Sequence, residues 1–102
     1  MNVGVIGSGG REHAICVSLK NSKKIKGIYC FPGNAGTSLI AQNIEADLNN
    51  FEELKKLIRK LNIDLVIVGP EKPLVDGLAN YLEENKIKVF GPNKIASQLE
   101  GS

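Results

Sequence analysis

The stretch GSGGREH at residues 7–13 sets Gly7, Gly9 and Gly10, then charged residues, directly after a short apolar run. Glycine lets a backbone approach a ligand closely. A helix starting there adds unpaired N–H groups and the positive end of its dipole. That combination suits a phosphate, and three kinds are open to it: the pyrophosphate of a dinucleotide, the triphosphate of ATP, or the single phosphate of a small metabolite. The ATP-type loop GxxxxGK[ST] occurs nowhere in the chain. Of the dinucleotide fingerprint GxGxxG, Gly7 and Gly9 match, but Glu12 stands at the third position. The fingerprint also needs an acidic residue after the second strand to hold the adenosine ribose. No acidic residue lies between Glu12 and Glu45, and an Arg for a 2′-phosphate is missing after that strand as well. On this chemistry the monoester phosphate of a mononucleotide or sugar is favoured. A dinucleotide, and a turn kept only for tight packing, stay open as alternatives.

The residues that would carry such a site follow from their types. Gly9, Gly10 and Arg11 offer backbone N–H groups to the phosphate, and the Arg11 side chain is open to clamping it, to pairing with Glu12 or to being merely solvated. Asn34 and Thr37, in PGNAGT, either add polar contacts or shape a turn. Glu71, in VGPE, sets a carboxylate just past the third apolar strand. Two ribose hydroxyls are natural donors to one carboxylate, and the competing role is a helix-dipole charge near Pro73. His13 and Asp76 read as first-turn helix residues. No catalytic residue and no metal ligand is assigned.

Four short apolar runs must position these turns: VGVI at 3–6, IYCF at 28–31, LVIV at 65–68 and VF at 89–90. They are continuous rather than alternating, as strands buried on both faces are. Helical patterns separate them. Arg11 to Lys20 is one. Phe51, Leu54, Leu57, Ile58 and Leu61 share the face of a second, with Asn50 and Glu53 as an asparagine capping box. Leu74, Val75, Leu78, Ala79 and Leu82 make a third stripe, Pro73 suits its first turn, and Asn93 to Leu99 is a short fourth helix. A minor strand is expected near Asn43 to Ala46. The order predicts one α/β domain over residues 1–102, a Rossmann-like doubly wound parallel sheet of four to five strands. The first strand is expected beside the third apolar strand. The turns GSGG, PGNAGT, GPEK and GPNK all follow strand carboxyl ends, so they line one edge, where open parallel sheets bind ligands.

Composition narrows the class. An apolar share of 42% and a charged share of 24% over 102 residues are ordinary for a globular domain. A net charge of +2 is too weak to argue for nucleic acid or membrane as a partner. Lysines 23, 24 and 26, and the basic group at 55, 56, 59 and 60, read as solvated faces. No apolar run reaches the 18 or so residues of a membrane span. The first strand begins at Asn2 or Val3, leaving no room for a signal peptide. Cys16 and Cys30 therefore read as two reduced, buried thiols of a cytoplasmic protein.

Four motifs together carry a family resemblance: GSGGREHA after the first strand, PGNAGT after the second, VGPEKPLVDGL after the third, and FGP with LEGS at the end. In order and spacing the chain resembles the phosphoribosylamine–glycine ligases, also called glycinamide ribonucleotide synthetases. The resemblance implies purine biosynthesis and the ATP-grasp superfamily. It also implies joining of the 5-phosphoribosylamine amine to glycine through a glycyl phosphate, with ATP and magnesium. Members of this family are several times longer, and their ATP and magnesium sites lie beyond LEGS. The chain thus resembles the amino-terminal pre-ATP-grasp domain alone. It is expected to bind the ribose phosphate of phosphoribosylamine or glycinamide ribonucleotide, with Glu71 on the ribose, to be inactive by itself, and to self-associate where the remaining domains would sit. A stand-alone Rossmann-like nucleotide or sugar-phosphate binding module is the alternative.

Overall fold

The computed structural model describes residues 1–69, 74–91 and 94, and for 74–76 the backbone alone. Strand β1 (Asn2–Gly7) leads into helix α1 (Gly10–Lys20), then strand β2 (Gly27–Pro32), a single 3₁₀ turn (Thr37–Leu39) and the two-residue strand β3 (Gln42–Asn43). Helix α2 (Phe51–Lys60), strand β4 (Leu65–Val68), helix α3 (Leu74–Glu84) and strand β5 (Val89–Phe90) complete the order. The strands form one all-parallel sheet in the order β3-β2-β1-β4-β5. The expected α/β architecture is borne out, as is the pairing of β1 with β4, in which Val3 opposes Leu65 and Ile6 opposes Val68.

The sheet is buried on both faces because each strand alternates between two cores. Val3, Val5, Cys30, Leu65 and Ile67 point to one side and pack with Cys16 and Leu19 of α1. Ile6, Phe31, Val66 and Val68 point to the other and meet Leu54 and Ile58 of α2 and Leu78 and Leu82 of α3. The apolar runs carry no alternation in sequence because both sides are covered.

Helix α2 starts on Asn50, whose side chain accepts from the Glu53 N–H at 3.1 Å. The return bond of the expected box goes from the Asn50 side-chain amide to Glu53 at 3.5 Å, not from the Asn50 backbone. The other boundaries shift slightly. Helix α1 begins at Gly10, and the minor strand covers Gln42–Asn43 rather than reaching Ala46. The expected helix over 93–99 and the proposed role of Pro73 lie outside the described residues.

Strand order reverses at β1, whose neighbours β2 and β4 are reached by crossovers on opposite faces. The crevice of such a sheet opens at the carboxyl ends flanking that point. Here those ends are Gly7 of β1 and Val68 of β4.

Candidate phosphate-binding site

Gly7 closes β1 at φ +134°, a conformation that L side chains rarely adopt. A Cβ there would also sit 2.7 Å from the Glu12 carboxyl carbon. The chain therefore turns sharply and enters α1 with Gly9 as the N-cap, at φ −95° and ψ −177°. Glu12 folds back beneath the turn, 3% exposed, and its Oε1 accepts from the Gly9 N–H at 2.6 Å. This is half of a capping box, with a glycine where Ser or Thr usually stands.

The His13 N–H closes the first helical bond, onto the Gly9 carbonyl at 3.2 Å. The N–H groups of Gly10, Arg11 and Glu12 have no acceptor among the described residues, as expected for a first helical turn. Gly10 is exposed, and a Cβ there would meet nothing within 4 Å. The helix amino terminus thus opens onto free space at the ligand edge of the sheet. Gly9, the other expected donor, gives its N–H to Glu12 in this structure. Arg11 is exposed and forms no ion pair with a described residue, Glu12 included, because the Glu12 carboxylate is turned inward.

The second glycine turn is built around Asn34. Its side-chain amide donates to the Ser8 carbonyl at 2.8 Å and the Gly9 carbonyl at 3.1 Å. Its Oδ1 accepts from the Thr37 N–H at 2.9 Å. The Thr37 hydroxyl accepts from the Asn34 N–H at 2.8 Å and reaches Asn43 Oδ1 at 2.7 Å. Gly33, at φ +79°, donates its N–H to the Gly7 carbonyl at 3.0 Å. The turn after β2 is in this way stapled to the turn after β1.

Both donors of the Asn34 amide are committed, and Thr37 is fully buried. Of the two roles open to them in sequence, shaping the turn is the one their side chains perform here. Half-buried His13 packs over Gly36, where a Cβ would lie 3.0 Å from its Cδ2. Glu71 and the side chain of Asp76 lie outside the described residues.

Behind the turn, Cys16 of α1 and Cys30 of β2 are free thiols, fully buried, with Sγ atoms 3.3 Å apart. Cys30 is held below its ordinary value by the hydrogen bond from Cys16, and Cys16 is pushed far up by giving that bond and by burial. Neither reaches solvent. Sequence reasoning missed Glu12 and Asn43 as parts of the site. The signal for Glu12 was its place three residues after a helix N-cap.

These features define a Rossmann-like α/β domain with an open, glycine-lined helix terminus on its ligand edge. The sequence profile described as "Phosphoribosylglycinamide synthetase, N domain" matches residues 1–100, and the chain belongs to that family. A Clostridium acetobutylicum protein named phosphoribosylamine–glycine ligase is 48% identical over 102 residues, covering 100% of this chain and 24% of that relative. One of the same name from Caldanaerobacter subterraneus is 45% identical, with the same coverage. The crystal structure of phosphoribosylamine–glycine ligase from Thermotoga maritima matches with a TM-score of 0.58 and 26% identity, over 88% of this chain and 19% of that one. The chain thus spans about a quarter of the length of the curated relatives it matches, 24% for each of these two.

Proposed function

We propose that this chain is the substrate-holding amino-terminal part of a phosphoribosylamine–glycine ligase of purine biosynthesis. The observation that carries the reading is the open start of α1, where the N–H groups of Gly10, Arg11 and Glu12 meet no acceptor among the described residues. They suit the phosphate of 5-phosphoribosylamine or glycinamide ribonucleotide, with the exposed Arg11 guanidinium beside them. Glu71 is proposed to accept from the ribose hydroxyls across the crevice.

Holding the ribose phosphate places the amine where it can attack activated glycine, which is catalysis by positioning. Activation by ATP belongs to the rest of the ligase. Among the described residues no three His, Cys, Asp or Glu stand together to hold a metal ion, so no step through magnesium is derived from them. No helix among the described residues is long and apolar enough to cross a membrane. Self-association is proposed through apolar surface that the remaining domains of the ligase would cover.

The test is amide NMR titration of the chain with glycinamide ribonucleotide and with NAD. Saturable shifts at residues 10–13 are expected with the ribonucleotide. Shifts there with NAD and none with the ribonucleotide would overturn it.

A further inference from the structure

We propose that Glu12 determines which phosphate the turn accepts, admitting a monoester and excluding a dinucleotide pyrophosphate. The inference rests on the reading that the start of α1 binds phosphate, and it adds the residue that sets specificity. In the dinucleotide fingerprint the second glycine lets the backbone approach the pyrophosphate, and the third keeps helix and strand close. Gly9 is that second glycine and Glu12 stands at the third position.

Glu12 changes both functions. Its Oε1 takes the Gly9 N–H at 2.6 Å, so the donor a pyrophosphate would meet is already occupied. Its carboxylate fills the space beneath the turn, 3.2 Å from where a Gly9 Cβ would be and 2.7 Å from a Gly7 Cβ. What stays open is the short row of N–H groups from Gly10 to Glu12, enough for one phosphate. A second phosphate placed over Gly9 would find that N–H turned inward and already bound to the Glu12 carboxylate.

Fold stability alone does not account for this side chain. Glu12 is 3% exposed, and among the described residues its buried Oε2 has no hydrogen-bond partner. A buried polar atom left without a partner is destabilising. A glycine would avoid that and pack the helix as close. Departures from local rules of this kind collect at functional sites.

The experiment compares ribose 5-phosphate with NAD as probes by amide NMR titration, on the unchanged chain and on Glu12→Ala and Glu12→Gln. The ratio of the two dissociation constants is the readout. Glu12→Ala frees the Gly9 N–H and removes the charge. It is expected to lower the preference for the monoester by about tenfold, the scale of one charge-assisted hydrogen bond. Glu12→Gln can still accept from Gly9, and is expected to keep most of the preference. An unchanged ratio in Glu12→Ala would overturn the proposal.

If Glu12→Ala does not fold, the unchanged chain decides. With ribose 5-phosphate the amides of Gly10, Arg11 and Glu12 are expected to shift while that of Gly9 stays in place, and a Gly9 amide moving with them refutes the inference. Absence of any ribose 5-phosphate shift at residues 8–13 would overturn the phosphate reading itself, and this inference with it. Shifts there with an unchanged ratio would overturn the role of Glu12 alone.

Discussion

Replacing Asn34 by Ala removes the side chain that ties two glycine turns together. Two donated bonds disappear, to Ser8 at 2.8 Å and Gly9 at 3.1 Å, and the Thr37 N–H loses its acceptor at 2.9 Å. A neutral hydrogen bond contributes about 0.5–1.5 kcal/mol net, and more is lost where a buried partner is left unpaired. The two donated bonds are exposed, so water replaces part of them; the Thr37 bond is half-buried. The sum is about 2 kcal/mol. For a domain of this size each kcal/mol moves the midpoint by roughly 4–8 °C, so thermal unfolding followed by circular dichroism should fall by roughly 8–16 °C. Asn34→Asp keeps the acceptor for Thr37 but sets a carboxylate oxygen against the Ser8 and Gly9 carbonyls, and should fall at least as far as the Ala variant. Amide shifts in the folded Ala variant should concentrate at residues 8–10 and 37. A midpoint lowered by less than roughly 2 °C, or shifts that spare residues 8–10, would refute the staple.

Gly10→Val places its side chain in open space, so stability should hold within about 0.5 kcal/mol while ribonucleotide binding is lost; unfolding and titration on one sample check both. Gly7→Ala combines a strained φ of +134° with a 2.7 Å approach to Glu12, and should cost about 2–4 kcal/mol in urea unfolding, part of it recovered when Glu12→Ala is added. Cys16 and Cys30 should resist alkylation in the native protein and both react once it is unfolded, as mass spectrometry would show. Glu52 is held below the usual carboxylate range first by the Tyr81 hydroxyl and then by Lys55. A lowered folded value means this contribution is present above the ordinary glutamate range and lost as pH falls through the lowered one. Tyr81→Phe should therefore flatten the fall in stability below about pH 4.5, the ordinary glutamate range, in urea unfolding.

The layered fold was legible because strand burial and helix periodicity are local properties. LVIV at 65–68 and the α2 stripe from Phe51 to Leu61 showed their elements without any tertiary knowledge. The edge on which the glycine turns gather followed from connectivity alone. What lay hidden was where individual side chains turn. Arg11 and Glu12 are adjacent and opposite in charge, and sequence leaves open whether Arg11 clamps a phosphate, pairs with Glu12 or is merely solvated. The capping geometry at Gly9 sends Glu12 inward and leaves Arg11 in solvent. Asn34 and Thr37 had even claims to bind a ligand or shape a turn. The choice depends on the Ser8 and Gly9 carbonyls, which reach them only once β1 and β2 pair. The contact of Cys16 with Cys30 likewise needs α1 packed across the sheet.

The central claim is that the amino terminus of α1 holds the phosphate of a ribose phosphate. A crystal structure of this chain with glycinamide ribonucleotide tests it most directly. The account predicts the phosphate within hydrogen-bond distance, about 2.7–3.2 Å, of the N–H groups of Gly10, Arg11 and Glu12, with Gly9 still bound to Glu12. A phosphate seated elsewhere on the domain, with the turn at residues 7–13 empty, would contradict it.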